Sequence, residues 1–318
     1  MGQLDALTKQ YLSKNDIFAD ICNFYLYDGK PAIKPEQLHP LDPNEIVFLH
    51  QHSPASRKKH SAVISKHRDI LKYLSAMTTD NAAYLIVGIE NQSDIHYAMP
   101  VRNMLYDALQ YNHQMQDISE KHRNNKTIQN FTSGFQKDDT LIPVITLVVY
   151  FGSDPWDGAI SLHELMPSTP PELLQYVADY RLLLIDPHRL NDETVSKLQS
   201  NVREIFSFIK YTQNKEKLLE LLQKPRFHNL DPLAAEIINE CTHSHLPLKS
   251  DNKGEINMCQ AIDEIREDSR NEGISFSRKE IAVSLLKKNI MSVEEIAELT
   301  KLPIDEINQL QKNERTNE

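Results

Sequence analysis

Apolar and polar positions along this chain switch between a helical and a strand period, and the switches lay out its elements. Over the first 28 residues, Ile17, Ile21, Phe24 and Tyr25 recur at helical spacing. Asn15 or Asp16 is the expected N-cap and Gly29 the stop. Pro31, Pro35, Pro40, Pro43 and Pro54 predict irregular chain over 31–61, relieved by a short strand at 45–50. The basic run 57–67 is expected to loop toward the next strand. Asp69–Met77 and Ala82–Glu90 read as two strands joined by the polar turn Thr78-Thr79-Asp80-Asn81, an antiparallel hairpin. Pro100 opens a helix reaching about Ser119, with Leu105, Ala108 and Leu109 on its buried face. Leu141–Phe151 is the most β-branched run. Strand, helix and strand in that order predict a parallel pair at the sheet centre. Beyond it, Tyr180–Ile185 reads as a strand, 191–223 and 231–241 as helices, and 256–270 as a helix broken near Gly273. Two short helices follow at 292–300 and 303–312. The fold class is therefore α/β, a mixed central sheet flanked by helices with a helical C-terminal region. The expected division is residues 1–241, a linker at 242–255, and 256–318.

Within this layout Tyr84–Gln92 stands out. Its first six residues are apolar except for a hydroxyl and a glycine, as in a strand buried on both faces. It then ends in Glu90 and Gln92, two residues apart and so on one face. A carboxylate at the end of a core strand is costly unless a cation or donors meet it. The hairpin brings Asp69 beside Glu90. Two carboxylates and a neutral oxygen suit a hard divalent cation, which lowers the pKa of its water and stabilises charge on a phosphodiester. The competing reading is that Asp69 and Glu90 are ordinary strand-end caps or surface charges.

Composition narrows the class. Of 318 residues, 40% are hydrophobic and 25% charged, as in globular proteins. No run approaches eighteen apolar residues, and Met1–Ser13 shows no secretory h-region. Cys22, Cys241 and Cys259 lack metal-site spacing, which argues against zinc and for a reducing compartment. A cytoplasmic protein with no membrane partner is expected. The net charge of −10 gives no overall positive field for nucleic acid. The charge is unevenly spread, however: residues 1–150 hold 15 basic and 16 acidic side chains, and the remainder 20 and 29. The basic clusters Arg57-Lys58-Lys59-His60, Lys66-His67-Arg68 and Lys121-His122-Arg123 all lie in the first half. DNA would bind there, unless these are simply solvated loops.

The succession of helix, Asp at a strand start, hairpin, Glu-x-Gln at a strand end and helix resembles the PD-(D/E)XK nuclease superfamily. Within it, Ile89-Glu90-Asn91-Gln92-Ser93, Met99-Pro100-Val101-Arg102 with Tyr106, and Val148-Val149-Tyr150-Phe151-Gly152 followed by Trp156 are similar to the Rpn family. These are the recombination-promoting nucleases, also called YhgA-like transposases. Phe18-Ala19-Asp20 to Tyr27-Asp28-Gly29 is similar to one branch of that family, so the likeness spans roughly residues 1–225. The resemblance implies a DNA endonuclease using Mg²⁺ (or Mn²⁺ or Ca²⁺), linked to recombination, DNA mobility or defence against foreign DNA. It makes Asp69 and Glu90 metal ligands and places Gln92 where the superfamily carries Lys. It assigns the acid of the first helix to Asp20, with Asp16 second, and sets Arg102 and Tyr106 on the substrate side. Gln92 orients a water but adds no charge; Arg102 or Lys66 are the candidates to compensate. Arg102 could instead be an ion pair holding the helix start or a site carboxylate.

The alternative to an enzyme is a non-catalytic DNA-binding or oligomeric interaction protein on a nuclease fold. The C-terminal helices look like a helix-turn-helix fragment, which raises transcriptional regulation as a third reading. Yet Asp305 and Glu306 would meet phosphates there, which favours folding back or a homo-oligomeric contact.

Overall fold

The computed structural model describes residues 2–41, 44–51, 60–67, 69–75, 84–124, 134–242, 248, 254–288 and 291–316, with backbone alone for 44–51, 60–67, 75, 84–85, 261, 263–266, 268–269, 272 and 312–316. The chain forms two compact units, one of residues 1–245 and 250–256, the other of 246–249 and 257–318.

In the first unit, helices α1 (Gln3–Leu12) and α2 (Asn15–Leu26) precede strands β1 (Leu38–Pro40), β2 (Asn44–Gln51), β3 (His60–His67), β4 (Ile70–Ser75) and β5 (Tyr84–Gln92). Helix α3 (Met99–Asn124) leads to β6 (Val144–Tyr150), and a loop with the short helix α4 (Pro171–Leu174) leads to β7 (Leu183–Ile185). Helices α5 (Asp192–Val195), α6 (Val202–Tyr211), α7 (Lys215–Leu222) and α8 (Pro232–Thr242) complete it. The five-stranded sheet has the order β1-β4-β5-β6-β7, antiparallel on the β1/β4/β5 side and parallel on the β5/β6/β7 side. Helix α3 is the crossover that makes the β5/β6 pair parallel, as the strand–helix–strand pattern predicts.

Strand alternation sorts the side chains of β5. Ile86 packs with Leu71, Val144 and Tyr111 on the α3 face. Asn91 points the other way and donates to Thr8 Oγ1 on α1. Lys72 shares that second face, where its Nζ donates to Ser13 O at 2.6 Å and to Asn15 Oδ1, beneath the Phe18 ring. Burial lowers the pKa of Lys72, opposed by Cys22 and Asp16. Three acceptors or ring contacts therefore solvate an ammonium that water does not reach.

Four expectations need correcting. The N-cap of α2 is Lys14, without a side-chain bond, because the Asn15 amide is spent on Pro35 O and Leu38 O, both at 3.0 Å. Residues 60–67 are not loop but β3, paired antiparallel with β2 from Asn44↔His67 to Gln51↔His60. On α3, Leu105 is half-buried and Ala108 exposed; the inner stripe is Met99, Asn103, Tyr106 and Gln110, together with Leu109. The turn at 78–81, the cluster 57–59 and most of the linker at 242–255 lie outside the described residues.

In the second unit, α9 (Met258–Lys288) runs through Gly273 without a break, the fourth correction. One glycine costs a helix only about 1 kcal/mol, which 31 residues of hydrogen bonding absorb. Helix α10 (Val293–Thr300) starts on a capping box between Ser292 and Glu295, and α11 (Ile304–Thr316) follows a left-handed Lys301. Ala282, Ile296, Leu302 and Ile307 form the core of this unit, while Phe276 and Leu299 stay exposed. Among the described residues, no helix is long and apolar enough to cross a membrane.

Candidate active site

The β4/β5 register pairs Ile70 with Ile89, so Asp69 falls opposite Glu90 one step beyond the last strand pair. Residues directly opposite in an antiparallel pair share a face, here the α3 face. Asp69 Oδ2 accepts the Asn91 N–H at 2.9 Å, which ties the start of β4 to the end of β5. Burial raises the Asp69 pKa above the usual carboxylate range. The Asn91 bond, Arg102 and Lys9 work against that shift, and Asp5 adds to it. Glu90 is fully buried. The Gln92 side chain is buried too, with its amide nitrogen donating to Asn91 O at 2.8 Å.

Arg102 meets this pair from the first turns of α3. Its Nη2 lies 3.4 Å from Glu90 Oε2, and its Nε donates to Tyr106 Oη at 3.0 Å. The i, i+4 spacing that put Arg102 and Tyr106 on one helix face also puts the guanidinium over the ring, 5.5 Å from its centroid. Burial alone would lower the Arg102 pKa, but Glu90, the Tyr106 bond and Asp69 raise it. The Tyr106 hydroxyl is itself raised by burial and then by Glu90. Outside this contact a cleft of about 420 Å³ opens, lined by His96, Ala98, Val101, Arg102, Leu105 and Tyr106. Arg102 is therefore reached from solvent on one side and faces a buried carboxylate on the other.

The helical acid beside the pair is not the expected one. Asp20 Oδ2 accepts from Ser200 N at 2.8 Å and Ser200 Oγ at 2.6 Å, and its carboxylate also takes the Gln199 N–H. These bonds cap the turn ahead of α6 and commit the carboxylate to that turn. Asp5 on α1 stands near Asp69 instead, with its Oδ1 accepting the Ser93 hydroxyl at 2.8 Å. No periodicity in the sequence singles out Asp5; only the docking of α1 over the end of β5 does. The other helical candidate, Asp16, adds to the field that raises Tyr11 rather than Asp69. Lys66 lies on β3, where its side chain is outside the described residues.

The rest of the signature is scaffolding. Tyr150 pairs with Gln92 in the parallel register and meets Trp156 edge-on at 5.3 Å. Its phenol is pushed up to about 12 by burial, then by Asp186, Asp154, Asp157 and Asp94. Gly152 is needed because a Cβ there would come within 2.1 Å of the Tyr150 hydroxyl. The Trp156 N–H is held by buried Asp186 at 3.1 Å, and the indole donates to Gly158 O at 2.8 Å. Asp107, one turn beyond Asn103, receives the hydroxyls of Thr146 and Tyr180 and so locks α3 onto β6.

The residues present fit one kind of metal better than another. Among the described residues no cluster of three or more His, Cys, Asp or Glu is arranged to hold a cation. Two opposed carboxylates suit an ion of Mg²⁺ type, which keeps several waters; Ca²⁺ wants six to eight oxygens. Asn103, next to Arg102 on α3, is fully buried with neither amide atom hydrogen-bonded. A buried amide in that state is costly and suits a polar solute rather than a packed core. Asp69 and Glu90 could hold such an ion, with Arg102 competing for Glu90.

No curated protein and no solved structure matches the chain. Residues 62–231, just over half of its length, match the family described as Putative transposase, YhgA-like, a span holding Asp69, Glu90, Gln92, Arg102 and Trp156. The chain belongs to that family.

Proposed function

We propose that the chain is a metal-dependent DNA endonuclease, serving recombination, DNA mobility or defence against foreign DNA. What carries the reading is Asp69 opposite buried Glu90, with a solvent-reachable Arg102 against them. The reaction adds a water oxygen to phosphorus and expels one ester oxygen as an alcohol. Asp69 and Glu90 would hold Mg²⁺ or Mn²⁺, which supplies a water of lowered pKa and positive charge at the phosphate. Arg102 binds a phosphate oxygen from the cleft side, and Tyr106 braces it through the 3.0 Å bond. Gln92 positions water by its amide but contributes no charge, so the cationic role falls to Arg102. Asp5, rather than Asp20, adds negative charge beside Asp69. The test is plasmid nicking with Mg²⁺ or Mn²⁺, in which Asp69→Ala is expected to abolish cleavage. Equal cleavage by wild type and Asp69→Ala would overturn the site.

One observation favours a second reading, a non-catalytic DNA-binding protein. Glu90 already has a cation against it at 3.4 Å, as a purely structural ion pair would. That reading expects salt-sensitive DNA binding that is unchanged by divalent ions.

A further inference from the structure

The cleft beside the start of α3 has a lining of mixed chemistry. His96 and Arg102 are basic, Ala98, Val101 and Leu105 are apolar, Tyr106 is aromatic, and among the described residues that line it none is acidic. Its volume of about 420 Å³ lies within the range of small-ligand pockets. Of the Arg102 nitrogens, Nε is given to Tyr106 and Nη2 faces Glu90, and among the described residues none meets Nη1, which faces an incoming acceptor. Val101 is exposed. An anion alone would use the two basic groups and waste the apolar wall; an apolar ligand would desolvate Arg102 without answering its charge.

We propose that this cleft takes one unpaired nucleotide of the substrate, with its phosphate on Arg102 and its base against Val101 and Leu105. The inference rests on the nuclease reading and names the form of DNA that reading leaves open. Bases in a duplex are stacked on both faces and offer only their edges. An aliphatic wall gains contact with a base only after the base has left the stack, which is cheapest in a single strand or at a mismatch. The substrate is thus DNA with an unpaired residue beside the bond that Asp69 and Glu90 address.

The test uses the full chain with EDTA at fixed salt and two probes of one sequence, a fluorescent single-stranded oligodeoxynucleotide and its blunt duplex. Anisotropy is expected to give about tenfold tighter binding of the single strand. Val101→Glu, a surface change checked for folding by its melt, is expected to erase that difference. A 2-aminopurine placed in a mismatch should brighten on binding wild type and not the variant. Equal affinity for the two probes, or a preference untouched in Val101→Glu, overturns the proposal. Plasmid nicking separates the two readings. Nicking with no single-strand preference sinks the cleft and keeps the nuclease; a Val101-dependent preference without nicking sinks the nuclease and keeps the cleft.

Discussion

Arg102 and Glu90 are worth most as a pair. Removing the guanidinium takes away the cation 3.4 Å from a carboxylate with no solvent exposure, and breaking a buried pair in this way costs about 3 kcal/mol or more. Arg102→Ala should therefore lose about that much in urea denaturation, and Arg102→Ala with Glu90→Gln should recover most of it. Because a bound cation can replace the lost charge, added Mn²⁺ should raise the melting temperature of Arg102→Ala more than that of wild type. Additive single-mutant effects would mean that the two side chains do not depend on each other. Asp69 makes the opposite kind of prediction. Its folded pKa is raised by burial, so its contribution to stability is present below the unfolded value, about 3.9, and is lost as pH rises through the raised one. Asp69→Asn keeps an oxygen for the Asn91 N–H and removes the ionisation, so it should melt higher than wild type at neutral pH. That advantage should fade toward pH 4 in a melting series and be accompanied by loss of cleavage, a stability–activity trade.

At the scale of elements, the hairpin and the parallel pair were legible because apolar runs with a single reading determine them. Ile70–Leu74 and Leu85–Ile89 can only be core strands, and the register they adopt carries Asp69 to Glu90 without further information. What was not legible came from docking between distant elements. Asp20 sits in a well-marked amphipathic helix and draws attention, yet it caps residues 199–200, about 180 positions away. Asp5 lies in a weakly patterned helix and reaches the site only because Thr8 and Asp5 meet Asn91 and Ser93. Strand β3 was hidden by its basic residues: a polar strand in a two-stranded sheet looks like loop when charge outweighs alternation. The cap assignment is testable. Asp20→Ala leaves the Gln199 and Ser200 N–H groups without their acceptor and should cost about 1–2 kcal/mol. The folded fraction should cleave as wild type does. Loss of cleavage in a fully folded Asp20→Ala would return Asp20 to the site.

Across the whole molecule, a net charge of −10 means that any affinity for DNA comes from local contacts. The logarithm of affinity should fall with the logarithm of salt by about 0.9 for each phosphate neutralised. Replacing Arg102 by Ala should shallow that slope by roughly one phosphate's worth. An unchanged slope would place Arg102 outside the DNA contact.

The docking of α1 over the end of β5 has a consequence for how this chain can be cut. Matched residues begin at 62, after α1, α2 and β1, and stop at 231, before α8. An expression fragment with those limits would keep Asp69, Glu90 and Arg102. It would lose Ser13 and Asn15, leaving the Lys72 ammonium without its acceptors. It would also lose the helix that braces Asn91, and Asp231, the fragment's last residue, would lose the Lys14 ammonium 2.8 Å away. Such a piece should be recovered from cells as insoluble protein, although Asp69, Glu90, Gln92 and Arg102 are all present. The helices ahead of the matched span are the lid that keeps water off the back of this chain's sheet.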